Sequence, residues 1–290
     1  MRHLLATLLL FACLFCGCTP SSNKPEDDLH FEEGGKTTEL KVISYNIRLS
    51  TGNDGDNSWQ YRKQASVNMI RAEQPTLIGF QEMLSDQVNY LLESLPEYKM
   101  IGVGRDDGAK AGEFMSIFYR PDKVELLEWD TFWLSETPDV PSKGWDASYK
   151  RTCTWATFRS LATGTTFAHF NTHLDHQGVV AQKEGLKLVV EKIGELVPAD
   201  MPVFLTGDFN IPTDNEAFAM LDGVLLDARK TSPETDQRTT YNAWGGREAT
   251  IDHIFYRKAT PYVFKVLRNE NYGAPYISDH YPVSLTATIK

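Results

Sequence analysis

The chain has 290 residues, of which 29 are Lys or Arg and 39 are Asp or Glu, so its formal net charge is −10. This length suffices for one large domain with a substantial core, and 23% charged and 41% apolar residues exclude a disordered or coiled-coil chain. The acidic balance argues against a broad basic surface that grips nucleic acid, so we expect no stable nucleic-acid complex. It leaves room for a local site that binds phosphate esters.

An apolar run from Leu4 to Phe15 follows the basic Arg2 at the N-terminus. The run is too short to span a membrane and fits the core of a signal peptide. The end of the run, Cys16-Gly17-Cys18, and the polar stretch after it resemble a bacterial lipoprotein signal, which implies cleavage before Cys18 and acylation of that cysteine. Residues 1–17 are then the signal peptide, and residues 18–38 are a lipidated, flexible tether. An ordinary secretory signal cut nearby is the alternative.

The protein is therefore expected outside the cytoplasm, anchored to a bacterial membrane by lipid alone, on the periplasmic side or at the cell surface. The cysteines form no disulfide framework in this interpretation, because Cys13 and Cys16 leave with the signal and Cys18 carries lipid. Cys153 is the remaining thiol, and its place in an alternating apolar run predicts a core residue.

Residues 39–290 are interpreted as one domain, which we expect to be monomeric, because no linker, low-complexity run or repeat interrupts them. Runs rich in β-branched and aromatic residues, bounded by Gly, Pro or Asp, predict strands along this domain. They cover Leu40–Ile47, Thr76–Gln81, Tyr98–Val103, Phe114–Tyr119, Thr152–Ser160, Thr166–His173, Val203–Gly207, Thr250–Tyr256 and Val283–Ile289.

Helical patterns lie between several of these strands. Asn57 and Ser58 fit the cap of a helix from about Trp59 to Ala72. Apolar residues at helical spacing predict two more helices, and a turn at Pro212 predicts a short fourth one. Their residues are Val88, Leu91, Leu92 and Leu95, then Leu186, Val189, Val190, Ile193 and Val197, then Glu216 to Leu221. Because strands outnumber helices, we predict an α/β sandwich of two sheets flanked by helices rather than a doubly wound parallel sheet.

Polar side chains recur at the ends of the predicted strands, where a rigid backbone delivers them to a cleft. The set comprises Asn46, Glu82, Asn171, His173, Asp208, Asn210, Asp252, Asp279 and His280. Carboxylates and amides without clustered cysteines suit Mg²⁺ or Mn²⁺ more than structural zinc. Histidines beside carboxylates suit general base and electrophile roles. A metal that polarises a phosphoryl oxygen, with a His that activates water, predicts phosphate ester hydrolysis.

Four ordered motifs in this set resemble those of the endonuclease/exonuclease/phosphatase superfamily, which has the deoxyribonuclease-I-like fold. They are Gln81-Glu82, Asn171-Thr172-His173-Leu174, Gly207-Asp208-Phe209-Asn210 and Ser278-Asp279-His280-Tyr281-Pro282-Val283. The resemblance extends from about Lys41 to the C-terminus. It implies a four-layer α-β-β-α sandwich of two mostly antiparallel sheets flanked by helices. The stretches from Gly102 to Arg120 and from Phe132 to Glu136 further resemble a bacterial branch of secreted hydrolases.

The resemblance also implies roles at the metal and the base. Glu82 would be the main metal ligand, helped by Asn46 and Asp279. His280 would be the general base, oriented by Asp252.

Further roles concern the phosphate. His173 would bind or protonate a phosphate oxygen, while Asp208 and Asn210 would position the water and stabilise the charged transition state. Arg151 falls where relatives use an arginine on phosphate, and Arg105 competes for that role; a guanidinium suits it through its bidentate fork. Five aromatic residues fit either a substrate groove or a packed core, namely Trp129, Phe132, Trp133, Trp145 and Tyr149.

We therefore expect a divalent-metal-dependent hydrolase whose partner is a phosphate ester, of phosphodiesterase or phosphatase type. Phe170 stands where the abasic-site repair branch has a Tyr, which disfavours a repair endonuclease. Ile211-Pro212 stands where the inositol polyphosphate phosphatases have an Arg, which weakens that substrate. Two alternatives remain open: a secreted nuclease that scavenges nucleic acid, and a surface binding protein that keeps the fold without the chemistry.

Overall fold

The structure is a computed structural model that describes residues 36–268 and 270–290. The signal peptide (1–17), the lipidated Cys18 and nearly all of the tether (18–38) lie outside the described residues and remain predictions. Within the described ranges, no helix is both long and apolar enough to cross a bilayer.

The described residues contain thirteen strands, four α-helices and several short 3₁₀ turns. The strands are β1 (Thr38–Asn46), β2 (Leu77–Gln81), β3 (Lys99–Ile101), β4 (Ile117–Tyr119), β5 (Val124–Trp133), β6 (Thr152–Ser160), β7 (Thr166–His173), β8 (Val203–Asp208), β9 (Leu226–Asp227), β10 (Glu234–Thr235), β11 (Asp252–Arg257), β12 (Thr260–Val266) and β13 (Val283–Ile289). The α-helices are α1 (Trp59–Glu73), α2 (Ser85–Ser94), α3 (Val179–Leu196) and α4 (Ala228–Thr231), and the 3₁₀ turns are Gly55–Asn57, Glu216–Leu221, Ala243–Gly245 and Glu270–Tyr272.

The strands form two sheets, ordered β10-β12-β13-β1-β2-β4-β3 and β5-β6-β7-β8-β11-β9. Neighbouring strands are antiparallel except in the pairs β1–β2, β7–β8 and β10–β12. The sheets face each other across an apolar layer in which Leu285 of one sheet and Phe204 of the other take part. A second cluster packs α1 and α2 on the first sheet, and a third packs α3 on the second sheet. The predicted four-layer sandwich with mostly antiparallel sheets is therefore confirmed.

The helical apolar spacing is explained by these layers. Leu91 of α2 and Leu186, Val189 and Ile193 of α3 are fully buried against the sheets. Ser58 occupies the N-cap position of α1, although its side chain makes no capping hydrogen bond. Cys153 on β6 is a buried free thiol, which confirms the predicted core cysteine.

The sequence patterns missed two long strands, β5 and β12. Strand β5 lies at a sheet edge, and Glu125, Glu128 and Asp130 alternate with apolar residues too irregularly to predict a strand. A register shift after Leu126 breaks the period of two. Strand β12 contains Pro261 next to a second register shift. Both strands therefore carry weak patterns, because a partly exposed strand tolerates polar residues and bulges.

The two parallel pairs at the sheet centres position the candidate site. Asn46 at the end of β1 pairs with Gln81 at the end of β2, and His173 at the end of β7 pairs with Asp208 at the end of β8. Parallel strands end at the same edge of a sheet, so four strand ends deliver polar side chains to one place. Strand β11 is antiparallel to β8 and adds Asp252 directly opposite Asp208.

A polar layer beneath this edge ties the two sheets together. Gln81 donates from Nε2 to Asn171 Oδ1 at 2.7 Å, and Asn171 donates back to the carbonyl of Phe80 at 2.7 Å. Gly79 makes the approach possible, because a Cβ there would lie 2.2 Å from the Thr206 hydroxyl oxygen. The motif residues Gln81 and Asn171 thus support the site from below rather than line it.

Two buried histidines that the sequence did not assign to the site are expected to make the free energy of unfolding depend on pH. His169 and His253 are buried, and burial lowers their pKa values to about 3 and about 4. Their side chains are neutral in the folded state. Above pH 6.5 they are also neutral in the unfolded chain, so they do not change the free energy of unfolding with pH. As pH falls below 6.5, the unfolded chain takes up protons that the folded chain does not, and stability is lost. Between pH 7.5 and pH 5 this amounts to about 2 kcal/mol for each histidine.

Urea unfolding of the wild type and of His253→Phe at the two pH values measures this effect. Phe fits the site because Phe209, Phe218 and Phe255 surround the imidazole. The loss of stability on acidification should be smaller in the variant by about 2 kcal/mol. An identical loss in both proteins would mean that His253 is protonated in the folded state.

Candidate active site

A buried His–Asp pair forms the centre of the site. His280 lies in the loop before β13 and donates from Nδ1 to Asp252 Oδ2 at 2.9 Å. Its Nε2 lies 3.6 Å from Asp208 Oδ2. Burial lowers the pKa of His280, but the carboxylates of Asp252 and Asp208 outweigh it and raise the pKa to about 10. The ring of Tyr241 packs against the imidazole at 4.8 Å between centroids and helps to fix its orientation.

Asp208 at the end of β8 shares its surroundings with His280. Burial raises the pKa of Asp208 to about 7, against the attraction of His280 and with the repulsion of Asp252. Its Oδ2 accepts from Asn46 Nδ2 at 2.9 Å, and its Oδ1 accepts from the backbone N–H of Asn210 at 2.9 Å. The Asp208–His280 pair therefore titrates as one unit that can accept or deliver a proton near neutral pH.

Glu82 stands immediately after β2 in a left-handed conformation, with φ at 60°. This turn points its carboxylate to the same place as Asn46, whose Nδ2 donates to Glu82 Oε1 at 3.0 Å. Asn46 thus lies between Glu82 and Asp208 and contacts both through its amide nitrogen. Its own Oδ1 accepts from the backbone N–H of Arg48 at 3.0 Å.

Asp279 precedes His280 and lines the same cleft as Glu82. Burial raises its pKa against the attraction of His280, and the nearby carboxylate of Glu82 raises it further. Arg48 is the cation beside both, with guanidinium nitrogens 3.7 Å from Glu82 Oε2 and 3.9 Å from Asp279 Oδ2. It also pairs with Asp54 at 3.1 Å.

The donor set fits a divalent cation. One oxygen or nitrogen atom each of Glu82, Asp208 and His280 lies within 4.8 Å of the others. Asp279 adds a third carboxylate beside this group. Partly buried carboxylates that repel one another favour a hard cation as their counter-charge, and carboxylate oxygens are the ligands that Mg²⁺ and Mn²⁺ prefer. The sequence assigned Glu82, Asn46 and Asp279 to the metal. The geometric group shares Glu82 with that set, and its other members, Asp208 and His280, form the pair suited to proton transfer, so Glu82 is the principal metal ligand.

Arg62 on α1 holds the two loops of the site in place. Its buried guanidinium donates to the carbonyl oxygens of Ile47, Arg48 and Ile277. It connects the end of β1 to the loop that carries Asp279 and His280. The ring of Trp59 lies 5.1 Å from the guanidinium carbon and shields it from water.

His173 and Asn210 form the adjoining wall. Asn210, with φ at 52°, donates from Nδ2 to His173 Nε2 at 2.9 Å. Burial lowers the pKa of His173 well below its usual value, and the charges of Arg151 and Arg105 lower it further. His173 is therefore neutral at physiological pH, and its Nε2 serves as the acceptor for Asn210.

Both predicted arginines line the same cleft, whose volume is about 600 Å³. Arg105 pairs with Glu113 at 2.7 Å, and Arg151 pairs with Asp175 at 3.2 Å. Each is largely buried, so these partners hold the guanidinium groups in fixed positions. The cleft therefore offers preorganised cations beside the carboxylate cluster, an arrangement that suits an anionic ester.

The structure brings together the ten described residues that the sequence assigned to the site. Asn46 and Asp252 lie behind the cleft and contact residues that line it, and the other eight line it: Glu82, Arg105, Arg151, His173, Asp208, Asn210, Asp279 and His280. Among the five predicted aromatics, Tyr149 lines the cleft, whereas Phe132 and Trp133 are buried in the core.

Sequence reasoning gave no role to several other residues around the cleft. They are Arg48, Glu113, Asp175, His176, Tyr241 and Arg247. Three of them lie close in the sequence to residues that were assigned to the site. Arg48 follows Asn46 by two residues, and Asp175-His176 directly follows the motif that ends at Leu174. Arg247 offered no signal, because it reaches the cleft from a loop without a recognisable motif.

A sandwich with a His–Asp pair, a carboxylate cluster and fixed arginines in one cleft defines the class of deoxyribonuclease-I-like phosphoester hydrolases. The chain belongs to the endonuclease/exonuclease/phosphatase family, whose model matches residues 43–280. The match ends on His280 and so includes all the described site residues.

Two solved bacterial structures and one viral sequence are similar to this chain along most of its length. A mannosyl-6-phosphatase from Bacteroides thetaiotaomicron is 39% identical, with a TM-score of 0.81, over 86% of this chain and 99% of that one. A family protein from Bacteroides vulgatus is 36% identical, with a TM-score of 0.82, over 87% and 100%. An uncharacterised protein of Acanthamoeba polyphaga mimivirus is 27% identical over 269 residues, which are 84% of this chain and 98% of the viral protein.

Proposed function

We propose that this protein is a divalent-metal-dependent phosphatase that hydrolyses phosphate monoesters of sugars. The observation that carries the proposal is the convergence of Glu82, the Asp208–His280 pair and two fixed arginines on one cleft. The 39% identical relative that is named a mannosyl-6-phosphatase supports the sugar phosphate as substrate.

Each group of residues in the cleft has its own role in the hydrolysis. The Asp208–His280 pair accepts the proton of the attacking water, while Asp252 holds the Nδ1 proton of His280 and keeps the ring oriented. Arg105 and Arg151 donate to the phosphoryl oxygens as charge grows on them, beside the wall that Asn210 and neutral His173 form. Glu82 and its neighbours would hold a divalent cation, which would supply Lewis-acid stabilisation of that charge.

The monoester is favoured over the diester because of the charge in the cleft. Arg105 and Arg151 lie together on one wall, and Arg48 lies at the carboxylates. A terminal phosphate carries up to two negative charges and exposes three oxygens, which such a set of cations matches better than the single charge of a diester. A phosphodiesterase is the second candidate.

A substrate panel tests the proposal. The purified protein with Mg²⁺ or Mn²⁺ should release phosphate from mannose 6-phosphate and from 4-nitrophenyl phosphate, and EDTA should abolish the activity until metal is added back. Bis(4-nitrophenyl) phosphate should be hydrolysed at least about tenfold more slowly, since a diester engages the arginine wall less fully.

The outcomes separate the candidates. Faster cleavage of the diester would favour the phosphodiesterase, and nicking of plasmid DNA at low salt would favour a nuclease. Tight binding of phosphate esters without turnover with either metal would favour a binding protein on this fold. Full activity in EDTA would contradict the metal-dependent chemistry.

A further inference from the structure

An exposed aromatic pair stands beside the arginines of the cleft. Tyr149 precedes β6, and the residue is 54% exposed. Its ring is stacked with that of His176, with centroids 5.8 Å apart and planes 17° from parallel. Both residues line the cleft. The ring of Tyr149 is therefore open to a molecule that binds in the cleft.

A buried carboxylate fixes this pair. Asp175 is 1% exposed, and its Oδ2 accepts from the backbone N–H groups of Ser148 and Tyr149 at 3.1 and 3.4 Å. The same oxygen accepts from Arg151 Nε at 3.2 Å. Its Oδ1 accepts from backbone N–H groups of the segment that follows His176, at 3.0 and 2.9 Å. One buried charge therefore connects the loop of Tyr149, the loop of His176 and the guanidinium of Arg151.

The pair lies directly beside the proposed phosphate-binding cations. The guanidinium carbons of Arg105 and Arg151 lie 5.2 and 6.0 Å from the centre of the Tyr149 ring. Arg151 also donates to His176 Nδ1 at 3.1 Å. A phosphate on these arginines would hold a group joined to it by a short link next to the exposed ring of Tyr149.

We propose that Tyr149 and His176 form a platform for the pyranose ring of a sugar phosphate. The apolar C–H face of the sugar packs on the Tyr149 ring, and its hydroxyl edge faces the polar lining of the cleft. A polyhydroxylated ring fits because the rest of the cleft lining is charged and includes the exposed Arg247. This inference rests on the proposed phosphatase activity. It adds the residues that select the leaving group, which is the sugar.

Paired substrates test the platform. Mannose 6-phosphate carries a pyranose ring, and glycerol 3-phosphate carries hydroxyl groups without a ring. Tyr149→Ala should lower kcat/KM for mannose 6-phosphate about tenfold, mainly through KM, because an aromatic contact is lost. For glycerol 3-phosphate the change should stay below about twofold. Tyr149→Phe keeps the ring and should restore mannose 6-phosphate hydrolysis to near the wild-type value.

Tyr262→Ala is the matched control, since Tyr262 is a 44% exposed tyrosine on β12 outside the cleft. Its kinetics should equal those of the wild type on both substrates. Saturation-transfer NMR with mannose 6-phosphate in EDTA adds a readout without turnover. The sugar-ring protons should receive saturation from the wild type and lose it in Tyr149→Ala.

Three results would overturn the platform. Equal losses on the two substrates would show that Tyr149 only supports the arginines. A loss confined to AMP, tested in parallel, would assign the ring to a nucleobase. Absence of saturation transfer in the wild type would exclude sugar contact. If the wild type hydrolyses neither ester but the NMR signal is present and depends on Tyr149, the proposed phosphatase fails while the platform stands.

Discussion

Replacement of His280 by Asn is expected to lower kcat/KM for phosphate ester hydrolysis about 10³-fold, within the range that general base catalysis contributes. The imidazole contacts both Asp252, at 2.9 Å, and Asp208, at 3.6 Å. Asn is similar in size and can still donate a hydrogen bond, but it cannot accept and release the proton of the attacking water. The rate of phosphate release with saturating Mg²⁺ measures the effect.

Two further variants make this prediction specific. Asp252→Asn should produce an intermediate loss, because it removes the negative charge that orients and stabilises the protonated ring. His253→Phe changes a neighbouring buried histidine that does not line the cleft and should retain wild-type activity. Thermal unfolding of each protein shows whether the fold is intact. A folded His280→Asn protein with more than about a tenth of wild-type activity would remove His280 from the chemistry.

The second large effect is expected for Glu82→Gln. This change preserves the shape of the side chain but removes the charge that faces Asn46, Arg48 and the carboxylate cluster. We expect the affinity for Mn²⁺, measured by calorimetry, to fall at least about tenfold and turnover to fall about 10²- to 10³-fold, since metal stabilisation of the transition state is worth several kcal/mol.

Glu113→Gln is the matched control for metal binding. Both glutamates line the cleft, but Glu113 is paired with Arg105 at 2.7 Å. Its replacement should leave the Mn²⁺ affinity within about twofold of the wild type, since it removes no member of the proposed metal group, even where it alters activity through Arg105. Equal losses of Mn²⁺ affinity in the two variants would place the cation between the glutamates instead of at the Glu82 cluster.

Much of the site could be predicted from the sequence because it is built from strand ends. Asn46, Glu82, His173 and Asp208 each follow an apolar run with a clear strand pattern, and the central strands keep that pattern because both faces are buried. The order of the four motifs then indicated the superfamily and, with it, the sandwich. Strand β5 was not predicted, because an exposed edge strand with a bulge does not need to alternate apolar and polar residues.

The sequence by itself determined the fold class, the strand ends and the residue types of the site, because hydrophobic period and turn chemistry are local properties of the chain. The tertiary structure decided which partners surround each group. Arg48, Asp175 and Arg247 reach the cleft through contacts between segments that are distant in the chain or carry no motif. The pKa values of Asp208 and His280 likewise depend on burial and on charges from other strands. Such interactions depend on distances in space, which no spacing along the sequence specifies.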